Sequence, residues 1–185
     1  METLKHWDTE AFLFLNHLGN STWDGFWVLL TNQWVSIPIY LLLVLLILWK
    51  TGFKQAFVTG VVLFAMLVVT YGLSKLSKYG IARPRPCTMG FDMRYPLKTD
   101  CGDFGFFSSH ASVGMALMLF TGLILKKYFK YIFWPLMIWL ALFGVSRIYV
   151  GKHYPGDVIV GFLVGAVLAV VFYKLRIFIA KKYNL

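Results

Sequence analysis

The sequence VIVGFLVGAVLAVVFY, residues 158–173, contains sixteen residues and not one charged side chain. A run of this kind is buried either in a protein core or in lipid. Four further charge-free runs precede it, and across the 185 residues only 14% are charged while 59% are hydrophobic. An ordinary soluble domain contains about 25% charged residues. The composition therefore indicates an integral membrane protein.

The five charge-free runs predict five transmembrane helices. They cover residues 25–49, 55–74, 104–125, 131–146 and 158–173, and only His110 interrupts the third. The last two would span about 24 Å at 1.5 Å per residue, and flanking lysine and arginine side chains extend such helices by reaching the interface. We expect an all-α polytopic membrane bundle in which residues 1–185 form one membrane-embedded domain.

The segment ahead of the first run predicts an N-terminal helix that lies in the membrane interface. Apolar side chains recur there at helical spacing beside Asp8 and Glu10, at Trp7, Ala11, Phe14, Leu15 and Leu18. A helix with one apolar and one charged side rests in the plane of the interface.

The last run contains GFLVG, residues 161–165, a pattern with small residues four positions apart. Such a pattern lets two membrane helices approach closely. Glycine is also simply common in membrane helices, and the sequence leaves both interpretations open.

Five spans place the chain termini on opposite faces, and the two faces differ in charge. The face opposite the amino terminus receives nine basic residues and no acidic one, namely Lys50, Lys54, Lys126, Lys127, Lys130, Lys174, Arg176, Lys181 and Lys182. Short basic loops stay in the cytoplasm, so we expect a cytoplasmic carboxyl terminus and an amino-terminal face outside the cytoplasmic membrane. The net charge of +10 then reflects topology and attraction to anionic membrane lipids, and nucleic acid is not an expected partner.

Three polar clusters, distant in sequence, fall on this outer face. KYGIARPRP (78–86) ends the second span, GFFSSHAS (105–112) begins the third, and SRIYVGKHYPGD (146–157) joins the fourth span to the fifth. Because the clusters lie at one membrane depth, a helical bundle can bring them together. Fixed cations with hydroxyl donors and no carboxylate cluster are typical of a site for phosphate or another oxyanion.

The two histidines of these clusters differ in their neighbours. Asp157 lies four residues after His153, close enough to accept a proton from one ring nitrogen and leave the other as a nucleophile. His110 has no such partner nearby in sequence, so it suits the role of proton donor to a leaving oxygen. The pair predicts phosphoryl transfer through a phosphohistidine. Basic residues at helix ends are often only interface anchors, and Lys75 and Lys152 keep that interpretation.

These motifs resemble the signature of the type 2 phosphatidic acid phosphatase superfamily, membrane lipid phosphatases related to the vanadium haloperoxidases. The signature reads K-x6-R-P, then P-S-G-H, then S-R-x5-H-x3-D. The first part is matched by Lys78, Arg85 and Pro86, and the third is matched without deviation by Ser146, Arg147, His153 and Asp157.

The middle motif departs from the family pattern. Phe107 stands in place of proline and Ser109 in place of glycine, whereas Ser108 and His110 match. Serine retains the backbone N–H that the glycine offers to the phosphate, so the chemistry is expected to survive the change.

The resemblance implies a role for each site residue. The phosphate oxygens would be bound by Lys78, Arg85, Arg147, Ser108 and the N–H of Ser109. His153 would attack phosphorus, Asp157 would orient it, and His110 would protonate the leaving oxygen. Water would then hydrolyse the phosphohistidine, and no metal or cofactor is implied.

The first functional hypothesis is a phosphatase for a lipid phosphate or diphosphate at the outer face. Undecaprenyl diphosphate fits best among bacterial substrates, with phosphatidylglycerol phosphate and the 1-phosphate of lipid A as alternatives. A hypothesis from another class is an anion channel or carrier with a basic pocket, which leaves the pair of His153 and Asp157 without a purpose. A haloperoxidase is a weaker interpretation, because five membrane spans suit a lipid substrate. Nothing in the sequence fixes the oligomeric state.

The two cysteines, Cys87 and Cys101, lie between the first two clusters on the face expected to be outside. Disulfides persist outside the cytoplasm, so we expect a bond between them rather than two unpaired thiols that share a loop. Closing a loop of 15 residues contributes roughly 3 kcal/mol on the chain-entropy model.

Overall fold

The computed structural model describes residues 2–94, 101–102 and 104–184. Within these ranges the chain forms seven α-helices: α1 (Glu2–His17), α2 (Asp24–Thr31), α3 (Ile37–Thr51), α4 (Phe53–Ile81), α5 (Ser109–Leu125), α6 (Phe133–Tyr149) and α7 (Pro155–Lys182). The described residues contain no β-strand, only an isolated bridge between Pro84 and Phe104. The predicted all-α class is confirmed.

Three helical segments are long and apolar enough to cross a membrane, namely Gln33–Thr51, Phe53–Ile81 and Pro155–Lys182. Two further apolar helices, α5 and α6, have 17 residues each. The chain is therefore a membrane protein, and the count of five spans stays a prediction.

The first predicted span is not one helix. Residues 25–49 are divided between α2 and α3, with a 3₁₀ turn at Gln33–Ser36 between them. The break occurs at Asn32, whose side-chain oxygen accepts a hydrogen bond from the Trp34 N–H at 3.1 Å. A side chain that caps the next turn competes with helix continuation, and sequence hydropathy does not register that competition.

Helix α5 is the centre of the bundle, and its packing against α7 is unusually close. A Cβ atom at Gly161 would lie 2.8 Å from the Ser108 carbonyl oxygen, and one at Gly165 would lie 2.3 Å from the Ser112 carbonyl oxygen. Both distances are shorter than van der Waals contact, so only glycine fits there. The two glycines of GFLVG therefore serve close helix approach.

Helix α1 lies across the end of the bundle where α7 begins, and its two sides differ. Phe12 is fully buried against the Tyr154 ring, and the buried Asn16 side chain donates to the Tyr149 carbonyl oxygen at 2.7 Å. Its other side exposes large apolar side chains, namely Leu4, Trp7, Phe14 and Leu18. This arrangement is the one expected of an interfacial helix.

The segment after α4 runs across the same end of the bundle and contacts three helices. Arg94 donates to both carboxylate oxygens of Asp24, at 2.7 and 3.3 Å, and to the Tyr149 hydroxyl at 2.9 Å. The hydrogen bonds from Arg94 and Tyr149 lower the pKa of Asp24. The Arg94 backbone N–H also donates to the Asn16 side chain at 2.8 Å. These contacts hold the segment over the ends of α1, α2 and α6.

The two cysteines lie at disulfide distance, with their Cα atoms 6.3 Å apart. Cys87 is in a 3₁₀ turn at Pro86–Thr88, and its N–H donates to the Gly151 carbonyl oxygen at 3.1 Å. The pair therefore joins the segment after α4 to the residues just before α5, next to the turn between α6 and α7.

We predict that Gly165→Ala destabilises the bundle. The new methyl group would meet the Ser112 backbone oxygen, and overpacking of this kind costs about 1–3 kcal/mol. Thermal unfolding in a single detergent measures the effect as a lowered Tm. The matched control is Gly60→Ala in α4, where a Cβ atom would meet nothing within 4 Å. Equal Tm values for the two variants would contradict the packing account.

We also predict that alkylation of the unreduced protein, purified from an oxidising compartment, modifies neither cysteine, whereas prior reduction exposes both. Intact mass reports the number of alkyl groups added. Two groups added without reductant would reject the bond.

Candidate active site

His153 and Asp157 lie together where α6 passes into α7. The capping box of α7 forms this turn, because the Asp157 carboxylate accepts the Tyr154 N–H at 3.1 Å and the Tyr154 backbone precedes Pro155 at the first helical position. The distance from His153 Nδ1 to Asp157 Oδ2 is 3.6 Å, and both side chains are buried. This separation is an ion-pair distance and is longer than an ordinary hydrogen bond. The predicted partners are therefore adjacent, with Nδ1 turned towards the carboxylate.

The three predicted phosphate-binding cations surround this histidine. Arg147 is in the last turn of α6, Lys78 is in the last turn of α4, and Arg85 follows that helix. Burial lowers the pKa of His153 well below its ordinary value, and nearby positive charges lower it further, those of Arg147, Arg85 and Lys78. A ring in this environment is neutral at neutral pH, so its unprotonated nitrogen is available as a nucleophile.

The side chains of Arg147 and Arg85 are oriented by hydrogen bonds within the protein. Arg147 is 4% exposed and donates from Nη1 to the carbonyl and the hydroxyl of Thr31, at 3.0 and 2.8 Å. Among the described residues no hydrogen-bond partner reaches its buried Nε. Arg85 donates to the Lys152 carbonyl oxygen at 3.4 Å. A buried guanidinium donor without a protein partner is the kind of group that an anionic ligand satisfies.

Ser108 and Ser109 begin α5 and differ in what they contact. Ser108 is the N-cap, and its hydroxyl accepts the Ala111 N–H at 3.4 Å while its own N–H donates to the Asp157 carbonyl oxygen at 3.0 Å. The Ser109 hydroxyl lies 2.9 Å from Lys78 Nζ and 2.8 Å from the Ser74 hydroxyl. The motifs predict a role only for the N–H of Ser109, whereas the structure adds its hydroxyl and that of Ser74, a small polar residue one helical turn before Lys78.

His110 lines a different part of the site. It borders a cavity of about 180 Å³ whose lining is mainly apolar and aromatic, with Tyr40, Tyr71 and Phe143 around it. The His110 and Phe143 ring centroids are 6.0 Å apart. The cavity extends from the polar cluster into the bundle. Its mainly apolar lining would suit an apolar part of a ligand.

Two residues that sequence reasoning left without a role stand directly behind the histidine. Arg83 Nη1 donates to Asp157 Oδ1 at 2.9 Å and forms an ion pair with Asp8 Oδ2 at 2.7 Å. In the sequence, Arg83 is only one member of the first cluster, KYGIARPRP, and Asp8 is only a charged residue of the predicted interfacial helix. No local sequence signal could find the second contact, because Asp8 and Arg83 are brought together by tertiary packing alone.

Across residues 2–94, 101–102 and 104–184, no three His, Cys, Asp or Glu side chains come together as a candidate metal site.

Comparison with known proteins agrees with this arrangement. The sequence matches the PAP2 superfamily over residues 59–179. It is 29% identical to lipid A 4'-phosphatase of Porphyromonas gingivalis over 99% of this chain and 78% of that protein. It is 30% identical to undecaprenyl-diphosphatase of Sulfolobus acidocaldarius over 86% of this chain and 73% of that protein.

A solved structure shares the fold. The transmembrane PAP2 type phosphatidylglycerolphosphate phosphatase from Bacillus subtilis superposes with a TM-score of 0.76, at 18% identity, over 95% of this chain and 87% of that one. At this identity the likeness concerns the fold alone. The sequence match nevertheless covers well over half of the chain, and the chain therefore belongs to the PAP2 superfamily.

Proposed function

We propose that this protein is a membrane phosphatase that hydrolyses a lipid phosphate through a phosphohistidine. The observation that carries the proposal is the position of His153, which is buried beside Asp157 and surrounded by the positive charges of Arg147, Arg85 and Lys78. A histidine that is neutral in such surroundings is suited to attack an anion that the cations attract.

The proposed reaction has two steps. His153 Nε2 attacks phosphorus, a bond forms between nitrogen and phosphorus, and the bond from phosphorus to the lipid oxygen breaks. His110 gives a proton to that oxygen, so the lipid leaves as an alcohol or, from a diphosphate, as a monophosphate. In the second step water attacks the phosphorus of the phosphohistidine, the bond between phosphorus and His153 Nε2 breaks, a water proton passes to His110, and inorganic phosphate leaves.

The binding residues divide between the phosphate and the lipid. Arg147 Nε has no partner among the described residues, and Lys78 keeps two ammonium hydrogens beyond the one directed at Ser109, so both can bind phosphate oxygens. The N–H of Ser109, at the start of α5, is a further donor of the kind that anions bind. The Ser108 hydroxyl caps the helix, so its support of the phosphate would be indirect. The cavity beside His110 would hold the first part of the leaving lipid.

Undecaprenyl diphosphate at the outer face of the cytoplasmic membrane is the first candidate substrate. Its recycling requires an outward-facing phosphatase, and the charge distribution of the chain favours an outward-facing site and a cytoplasmic carboxyl terminus. The curated undecaprenyl-diphosphatase relative supports this candidate at 30% identity. Phosphatidylglycerol phosphate and the 1-phosphate of lipid A are the other substrates that the sequence suggested.

A lipid A phosphate monoester is favoured by a separate observation. The lipid A 4'-phosphatase relatives from two organisms match 99% and 98% of this chain, whereas the undecaprenyl-diphosphatase relatives match 86% and 84%. The additional matched length includes parts of the chain beyond the three motifs. A panel of purified lipid phosphates that contains both classes therefore decides the substrate.

We predict that the wild-type protein releases inorganic phosphate from at least one lipid of this panel and that His153→Ala abolishes the release. The loss is expected to be complete, because the proposed mechanism assigns the attack on phosphorus to His153 alone. Asp157→Asn is expected to leave a slower enzyme, because the amide remains a hydrogen-bond partner but lacks the charge that stabilises the imidazolium. Turnover by His153→Ala near the wild-type rate would show that His153 is not the nucleophile. Specific lipid phosphate or anion binding without phosphate release from any lipid would favour the channel or carrier.

The lowered pKa of His153 predicts how kcat/KM depends on pH in acidic buffer. Because the ring loses its proton well below its ordinary pKa, the nucleophile stays neutral as the pH falls through 6.5. We expect the decline of kcat/KM on the acid side, where the nucleophile becomes protonated, to have an apparent pKa below 6.5. Initial rates at substrate concentrations below KM measure this profile. A decline with an apparent pKa at or above 6.5 would contradict the lowered pKa.

A further inference from the structure

We propose that Asp8, on the interfacial helix α1, is a positioning residue for the reaction, because it holds Arg83 against Asp157 and so fixes the carboxylate that faces His153. This inference rests on the proposed function. It assigns to the first helix of the chain a part in the active site, which none of the three sequence motifs contains.

The two oxygens of Asp157 have separate partners. Oδ2 accepts the Tyr154 N–H at 3.1 Å and lies 3.6 Å from His153 Nδ1, whereas Oδ1 accepts Arg83 Nη1 at 2.9 Å. The carboxylate is wholly buried, so its direction is set by these contacts and not by water. A change in the position of the Arg83 guanidinium would therefore also move the Asp157 oxygen that faces His153.

Arg83 is itself oriented from two sides. Its guanidinium carbon lies 3.8 Å from the centre of the Tyr154 ring, a stacked cation–π arrangement. The same Nη1 atom that contacts Asp157 also contacts Asp8 Oδ2, at 2.7 Å. The contact with Asp157 is a hydrogen bond, and the contact with Asp8 is an ion pair. Removing the charge of Asp8 would remove one of the attractions that fix the guanidinium and let it turn relative to Asp157.

Asp8 is itself fixed by a hydrogen bond from the first turn of α7. Its Oδ1 atom accepts the N–H of Gly156 at 2.7 Å. Gly156 is the second residue of α7, where a backbone N–H has no helical partner and the helix dipole favours a negative charge. A Cβ atom at Gly156 would lie 2.7 Å from Asp8 Oδ2, so glycine is required for this approach. Asp8 and Arg83 are each 16% exposed at the side chain, which shields the pair from solvent.

The summed charge of Asp157, Arg83 and Asp8 explains why Asp8 would affect the reaction. Asp157 and Arg83 together are neutral, and a neutral pair does little to stabilise positive charge on the histidine. Asp8 restores one net negative charge behind the ring. That charge offsets the cations that face His153 from other elements, since His153 must become positively charged as it bonds to phosphorus. The titratable and charged groups around His153 are Lys78 from α4, Arg83 and Arg85 from the segment after it, His110 from α5, Arg147 from α6, Lys152 from the turn and Asp157 from α7.

The test compares Asp8→Asn with Glu10→Gln, a matched loss of one carboxylate from the same helix. Glu10 is exposed, and its carboxylate lies 3.3 Å from His6 Nε2. The asparagine oxygen can still accept the Gly156 N–H, and Phe12 and Asn16 still anchor α1, so the variant is expected to fold. A third variant, Asp8→Glu, keeps the charge. Thermal unfolding of all three checks the fold.

The expected result is a selective loss of kcat. Asp8→Asn should lower kcat about tenfold, in the range found when an outer partner of a functional histidine is removed, with KM within about twofold of wild type. Asp8→Glu should retain more activity than Asp8→Asn, and Glu10→Gln should match wild type. A kcat of Asp8→Asn equal to that of Glu10→Gln would overturn the proposal.

A second readout does not depend on turnover. In protein labelled with ¹⁵N-histidine, the ring signals of His153, assigned by their absence from His153→Ala, report which nitrogen carries the proton. We expect the Nδ1–H form in wild type and Asp8→Glu, and a raised fraction of the Nε2–H form in Asp8→Asn. An unchanged ratio in a folded Asp8→Asn protein would also overturn the proposal. Turnover by His153→Ala would instead reject the proposed function, while the ring signals still decide whether Asp8 acts on His153.

Discussion

The site depends on one backbone contact, the approach of α5 to α7 at Gly161 and Gly165. At Gly161 the two helices are so close that a methyl group would touch the Ser108 carbonyl oxygen. One turn further out, the Ser108 N–H donates to the Asp157 carbonyl oxygen at 3.0 Å. The first turn of α5 and the first turn of α7 are therefore locked in register. This register places the motif that contains His110 beside the motif that contains His153.

The second constraint is electrostatic. Several cations converge on a buried region at the end of an apolar bundle, where unpaired charge is costly. The fold compensates with backbone carbonyls and hydroxyls: Thr31 receives Arg147, Ser109 receives Lys78, and the Lys152 carbonyl receives Arg85. Because these acceptors are neutral, they leave the positive charges of Arg147 and Lys78 available to an anion. Arg83, by contrast, is paired with the carboxylates of Asp8 and Asp157, and it lies on the far side of Asp157 from His153.

Much of this could be predicted from the sequence, because the relevant signals are local or periodic. The helical class follows from charge-free runs, and the interfacial position of α1 follows from apolar spacing. The spacing of His153 and Asp157 is a single helical turn, and the structure brings these residues together with all the predicted cations. The division of residues 25–49 into two helices was not predicted, because the Asn32 side chain caps a new turn within an apolar run. Asp8 could not be found, since it meets Gly156 across 148 residues and only the packed bundle defines that distance.

That distance has a consequence for biosynthesis. Asp8 leaves the ribosome 148 residues before Gly156, the residue that it contacts in α7. Contacts between segments so far apart form late, because the intervening chain must first be ordered. The site is therefore completed only when α7 has joined the bundle. A nascent chain in the membrane would carry the first two motifs without their partners, so it would not act on the lipids around it before its own assembly is finished.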